Sequence, residues 1–269
     1  MTTSQYLDRP EGRIAYDVSG SGPLVVCLPG MGELRQSFRL LVPLLTSAGF
    51  RVACLDLRGH GDSDATFSTY DDEALASDAL ALVARLGGPA YLVGNSMGAA
   101  AAVIAAADRP DDVRGLLLLG PFVRNPPGAG RLGALVFRAV LTRPWGRRAF
   151  LAYYPSWLPG TKPEGYEEHR AAIGRSLRRP RHWKAFVRTT RTSHDAAEAR
   201  LGDVRAPAAV VMGTDDVDWK DPAVEAAWIG ERLGAPVVMA PGVGHYPQAQ
   251  APALVAETLL ALAQRDAGA

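Results

Sequence analysis

Tyr91-Leu92-Val93-Gly94-Asn95-Ser96-Met97-Gly98-Ala99-Ala100-Ala101-Ala102-Val103-Ile104 passes from an apolar strand into an alanine-rich helix through a turn with serine at its apex. Glycines two residues before and two after the serine matter because such a turn holds its central residue in strained backbone geometry, where flanking Cβ atoms would collide. The serine hydroxyl is thereby pushed out of the sheet. A lone G-x-S-x-G also occurs in ordinary glycine-rich strand-to-helix turns, so its surroundings must carry the reading.

Working outward, segments rich in Val, Leu and Ile alternate with amphipathic, alanine-rich stretches, the pattern of strands and crossover helices in a mostly parallel sheet. Ser4 to Asp8 and Arg13 to Val18, joined by the turn Arg9-Pro10-Glu11-Gly12, read as an antiparallel edge hairpin. Strands follow at Leu24 to Leu28, Arg51 to Asp56, Ala90 to Val93, Arg114 to Leu119, Ala208 to Met212 and Val237 to Met239. Helices are expected near Gln36 to Ser47, from Asp71 to Leu86, after Ser96, from Pro222 to Leu233 and from Pro252 to Gln264. Between Pro121 and about Gly202 the pattern changes to proline-broken helical pieces carrying Phe137, Trp145, Phe150, Tyr153, Tyr154, Trp157, Trp183 and Phe186. The expected organisation is a core of residues 1–120 and 203–269 with a helical cap, 121–202, inserted between sheet strands.

A serine hydroxyl is a poor nucleophile at neutral pH, so a base must take its proton and a third group must orient that base. Gly213-Thr214-Asp215-Asp216-Val217-Asp218 follows one late strand and Gly242-Val243-Gly244-His245 follows the next. Of the five histidines, His245 sits on a glycine-flanked loop from which an imidazole can reach over the sheet edge. His60 reads as a turn former in its Arg-Gly-His-Gly loop, and His169, His182 and His194 as surface or lining residues of the insertion.

With these motifs in place, the chain resembles an α/β-hydrolase-fold protein of the capped, esterase-like kind over nearly its whole length. Four motifs carry the resemblance: Leu28-Pro29-Gly30-Met31-Gly32, Asp56-Leu57-Arg58-Gly59-His60-Gly61-Asp62-Ser63, the turn at Ser96, and the acid and histidine loops. The resemblance implies an eight-stranded, mostly parallel α/β sheet flanked by helices, and a triad of Ser96, Asp216 and His245 in the chain order Ser, Asp, His. Counting from Gly213 favours Asp216 as the acid, with Asp218 as the alternative. It also implies an oxyanion hole formed by the backbone amides of Met31 and Met97. Many relatives carry histidine where this chain has Pro29, so a side-chain hydrogen bond that steadies that loop is expected to be missing. Asn95, beside the serine, is a candidate to shape the pocket floor, or else merely packs; Trp145, Trp157, Trp183 and Phe186 are candidates to line an apolar pocket beneath the cap, or else form the cap's core.

The expected activity is hydrolysis of a small, largely apolar ester, thioester or lactone through an acyl-enzyme on Ser96. Carbon–carbon bond hydrolysis, acyl transfer, perhydrolysis and a tailoring cyclisation share the same triad, and a ligand-sensing receptor on the same scaffold is the rival from another class. Epoxide hydrolase and haloalkane dehalogenase chemistry uses aspartate at the turn, against which Ser96 argues.

Composition bounds the rest. The 269 residues are 48% hydrophobic and 21% charged, ordinary for a globular protein. Cys27 and Cys54 lie in apolar strands and read as small buried hydrophobes. The net charge of +1 conceals a split, because residues 121–200 hold 16 Lys and Arg against 5 Asp and Glu. That basic segment suits solvated arginines resting on an acidic body, or attraction of an anionic ligand. No recognition motif for nucleic acid accompanies it. No metal or organic cofactor, no membrane span and no signal peptide are read, so a cytoplasmic enzyme acting on a small molecule is expected. Oligomeric state is not legible.

Overall fold

The computed structural model describes residues 4–126 and 145–267. Phe137 and the middle of the expected cap fall outside the described residues. Eight strands form one sheet: β1 (Gln5–Arg9), β2 (Gly12–Ser19), β3 (Leu24–Leu28), β4 (Arg51–Leu55), β5 (Ala90–Asn95), β6 (Val113–Leu119), β7 (Ala208–Gly213) and β8 (Val237–Ala240). Their order is β1-β2-β4-β3-β5-β6-β7-β8. The edge hairpin β1–β2 pairs antiparallel, β2 pairs antiparallel with β4, and every later pairing is parallel.

The central strands read as continuous apolar runs because helices cover both faces of the sheet. Alternate residues divide between the two layers. Val26, Leu28, Leu92, Leu116 and Leu118 pack on one side with helices α2 (Asp72–Leu86) and α3 (Met97–Asp108). Val25, Cys27, Val93, Leu117 and Leu119 face the other side, against α1 (Val42–Ser47) and the C-terminal helix Pro252–Ala267. Cys27 and Cys54 are buried, free thiols opposite one another in the β3–β4 register. Burial pushes the Cys27 thiol well up, so it stays protonated and inert.

Helix α3 is apolar all round, and residues Met97 to Ala106 are buried. Its alanines let it lie close to the sheet. A Cβ on Gly98 would stand 2.1 Å from the Leu28 carbonyl oxygen, and one on Gly94 would stand 2.3 Å from the Gly98 carbonyl oxygen. The expected helix from Gln36 to Ser47 is instead a 3-10 turn, Arg35–Phe38, followed by α1. Pro43 explains the break, since it has no N–H to continue the ladder and fits the first turn of a new helix. Among the described residues between β6 and β7 stand helices Gly146–Tyr153, Tyr166–Arg178, Pro180–Thr189 and Asp195–Arg200. No described helix is long and apolar enough to cross a membrane.

Two glycine substitutions separate close packing from backbone preference. Gly98→Ala, forced against the Leu28 carbonyl, is expected to cost roughly 3 kcal/mol. Gly234→Ala, at φ +58 with nothing within 4 Å of its Cβ, is expected to cost about 1 kcal/mol. Urea unfolding of both variants measures the difference, and equal losses would remove the packing argument.

Candidate active site

Ser96 is the one described non-glycine residue with positive φ, at φ 55 and ψ −120. That strained conformation is sustained by its surroundings. The Ser96 amide donates to the Leu119 carbonyl at 3.0 Å, and its own carbonyl accepts from the amides of Ala99 (2.9 Å) and Phe122 (3.3 Å). Gly30 packs on the serine itself, where a Cβ would lie 2.9 Å from Ser96 Cβ. The β3–β5 register, Leu28 opposite Gly94, brings the two loops together.

The loop after β3 carries the Met31 amide, and Met97 opens α3, so its amide has no acceptor one turn earlier. The motif after β4 holds the β3 loop in place. His60 accepts from the Gly32 amide through Nε2 at 3.2 Å, and its Nδ1 donates to the Arg58 carbonyl at 3.0 Å, which fixes the tautomer. Histidine from the next loop thus steadies the segment for which Pro29 offers no side-chain bond. Burial lowers the His60 pKa to about 4, so the ring is neutral and able to accept. Asp56, also buried, accepts from the backbone amides of Arg35 (2.8 Å) and Asp62 (2.9 Å) and pairs with the Arg35 guanidinium, which also reaches Asp17 at 2.7 Å.

Across the sheet, Asp216 and His245 meet. His245 Nδ1 donates to Asp216 Oδ2 at 2.8 Å, and Asp218 Oδ2 lies 3.5 Å from the same nitrogen. Asp216 Oδ1 accepts from the Asp218 amide at 3.1 Å. Gly213 permits the approach, since its Cβ would lie 2.2 Å from the carbonyl oxygens of Val243 and Gly244. Burial works against the imidazolium, but Asp216 and then Asp218 outweigh it and raise the His245 pKa to about 9. Asp216, Asp218 and His245 also form the one group of potential metal-ligating side chains among the described residues. Their donors are engaged with each other and with Trp157.

Ser96 and His245 share neighbours, although no hydrogen bond joins their side chains among the described residues. Asn95 Nδ2 donates to the Leu119 carbonyl (3.0 Å) and the His245 carbonyl (2.9 Å). Phe122 sits edge-on to the His245 ring, with centroids 5.6 Å apart. Catalytic hydrogen bonds are often long before substrate arrives.

The pocket candidates divide. Asn95 is fully buried and works as a clamp between strand and histidine loop rather than as a pocket wall. Trp145 is 56% exposed. Trp183 and Phe186 are buried in the aromatic cluster of the insertion, and Phe186 and Phe150 touch Gly32. Trp157 stands beside the Asp216, Asp218 and His245 cluster. Its indole N–H donates to Asp218 Oδ1 at 2.9 Å and its carbonyl accepts from the His245 amide at 2.9 Å.

Two histidines read as surface or lining residues are partners of carboxylates: the buried His169 binds Glu33 and the half-buried His194 binds Asp72, each at 2.7 Å. Glu33 also accepts from Tyr154 at 2.5 Å, tying the β3 loop to the insertion. Burial opposes its ionisation, but His169 chiefly holds its carboxyl below the usual range. Nothing local in the sequence marks Glu33, Phe122 or Phe150, because each matters through contacts more than 90 residues away or across loops.

The alpha/beta hydrolase family model matches residues 25–258. Epoxide hydrolase 2 of Siraitia grosvenorii is 38% identical over 126 residues, 45% of this chain but only 39% of that protein. A hydrolase of Burkholderia vietnamiensis named for 2-hydroxy-6-oxononadienedioate and 2-hydroxy-6-oxononatrienedioate is 30% identical over 234 residues, 80% of each chain. Among solved structures, the bromoperoxidase of Bacillus anthracis matches 98% of this chain and 100% of that one, with TM-score 0.82 and 20% identity. At that identity the likeness is one of fold.

The neutral, buried His60 has a consequence for acid stability. The unfolded chain takes up a proton near pH 6.5 while the folded ring resists until about 4, so stability falls as pH drops through that window. His60→Gln is expected to remove roughly 3 kcal/mol of the decline between pH 6.5 and 4. Urea midpoints across that range test it, and an unchanged decline would count against the assignment.

Proposed function

Because the chain belongs to the alpha/beta hydrolase family, we propose that it is a serine hydrolase acting on a small, largely apolar ester, thioester or lactone. The observation that carries the reading is the 2.8 Å Asp216–His245 pair standing across the β6 end from the strained Ser96 turn. In this reading Ser96 Oγ attacks the acyl carbon and His245 Nε2 takes its proton. Asp216 keeps the proton of Nδ1 in place and stabilises the imidazolium. The oxyanion is received by the Met31 and Met97 amides, which cost no reorganisation because the His60 and Asp56 contacts already hold the loop. Collapse expels the alcohol or thiol, which takes the proton from His245, and water then resolves the acyl-enzyme by the same route.

The aromatic residues Phe150 and Phe186 against Gly32 support an apolar acyl group. A second reading, an anionic dicarboxylate substrate, is favoured by the name of the Burkholderia relative. Arg175, Arg178, Arg181, Lys184 and Arg188 are exposed at three- to four-residue spacing along consecutive helices of the insertion, a field able to steer an anion. The inserted cap of residues 121–202 is part of the proposal, as the element over the site.

A fluorophosphonate probe is expected to label the protein once, with Ser96→Ala abolishing labelling and leaving the thermal transition in place. Labelling that survives the substitution would sink the nucleophile assignment. Asp216→Asn is expected to lower kcat on an activated ester by about 10⁴-fold. A larger loss from Asp218→Asn would transfer the acid role.

The neutral imidazole is the base, so kcat/KM should climb about tenfold per pH unit below 9 and level off above it. A flat profile from pH 6 to 9 would contradict the base. For the dicarboxylate reading, the rate advantage of an anionic over a neutral ester should vanish as salt shortens screening from about 30 Å to about 3 Å. A salt-independent ratio rejects that steering.

A further inference from the structure

The acid loop supplies two carboxylates to one imidazole, and the second is not free to choose its position. Asp218 Oδ2 lies 3.5 Å from His245 Nδ1 while its other oxygen, Oδ1, receives the Trp157 indole N–H at 2.9 Å. The same tryptophan accepts the His245 amide on its carbonyl at 2.9 Å, and a Cβ on Gly244 would stand 2.3 Å from that oxygen. Trp157 is in turn wedged among Phe150, Tyr153, Tyr154 and Tyr246. One residue of the insertion therefore touches the base-bearing loop by its backbone and the second carboxylate by its side chain.

We propose that Trp157 and Asp218 are positioning residues through which the insertion sets the electrostatic hold on the His245 imidazolium. This rests on His245 being the base of the proposed hydrolase. A carboxylate at this separation favours the charged ring, and Asp218 exerts that pull only while ionised. Burial and then the Asp216 charge raise its own pKa, while His245 and, after it, the indole N–H stabilise the carboxylate. Removing the N–H takes away part of what keeps this half-buried carboxylate ionised and placed, and so loosens its hold on the histidine.

The remaining groups facing His245 are fixed by other contacts. Asp216 is held by the Asp218 amide, and Glu33 of the β3 loop, which adds a weaker pull, is held by His169 and Tyr154. From the β6 loop comes the uncharged Phe122 ring, and the neighbouring Tyr246 phenol is pushed well up by burial and stays neutral. Glu33 is also held from the insertion, but its pull on the ring is the weaker one, so Asp218, bonded to Trp157, is the nearer carboxylate through which the insertion acts on His245.

The test is direct titration of His245 by NMR of full-length protein carrying isotope-labelled histidine, with the resonance assigned through His245→Gln. Asp218→Asn is expected to lower the His245 midpoint by about 1 pH unit, and Trp157→Phe to lower it in the same direction. The double variant is expected to match Asp218→Asn alone, because the tryptophan acts through the aspartate. The acid limb of the probe-labelling rate should move with the NMR midpoint. An unchanged midpoint in Trp157→Phe, or additive shifts in the double variant, would overturn the proposal. If Asp218→Asn does not fold, Trp157→Phe alone decides the matter. Failure of Ser96 to react with the probe would instead sink the hydrolase reading, while the titration would still report on the relay.

Discussion

Backbone meeting backbone at the ends of β3 and β5 is the constraint on which the site depends. Gly98 lies against the Leu28 carbonyl, Gly94 against the Gly98 carbonyl, and Gly30 against the Cβ of Ser96. Side chains at these glycines would push the first turn of α3 away from the sheet, and Ser96 would relax from φ 55 into an ordinary region. With the glycines present, the parallel register sets Leu28 beside Gly94 and the following loops face each other. The segments that carry the Met31 and Met97 amides follow directly from these two strands.

Such closeness needs lateral support, because loops carry their own unsatisfied polar groups. The β4 loop supplies it with buried side chains of opposite character. His60, neutral because it is dry, accepts from Gly32, while Asp56 keeps its charge partner in Arg35. Gly61 leaves the room that the Asp56 carboxylate occupies, since a Cβ there would lie 2.0 Å from Oδ2. Deleting one member of a buried ion pair leaves the other uncompensated, at a cost of about 3–5 kcal/mol. The Asp-Leu-Arg-Gly-His-Gly-Asp-Ser motif is thus scaffolding for its neighbour, and its own residues need not touch substrate.

Where local rules govern, the sequence was readable. Continuous apolar runs marked the buried strands, glycine spacing marked the Ser96 turn, and loop glycines marked the approach of residues 213–216 to 242–245. Where a residue acts through a distant partner, the sequence was silent. Asn95 reads as a pocket neighbour of the serine, yet it spans to the His245 carbonyl 150 residues away. His169 reads as a surface or lining residue of the insertion until Glu33 arrives from the β3 loop. Aromatic spacing along the insertion likewise could not separate the exposed Trp145 from the buried Trp183. Asp218 could be counted but not weighed, because its influence depends on an indole donated by another segment.

The narrow gap at Gly244, where the Trp157 carbonyl leaves no room for a methyl group, bears on how such proteins can be recombined. Exchanging the helical segment between β6 and β7 for that of a relative would disturb the loop bearing His245 as well, because Trp157 is seated on it. A chimaera at this junction must bring a matching acceptor carbonyl, indole and glycine together, or exchange the loop bearing residues 242–246 in the same step.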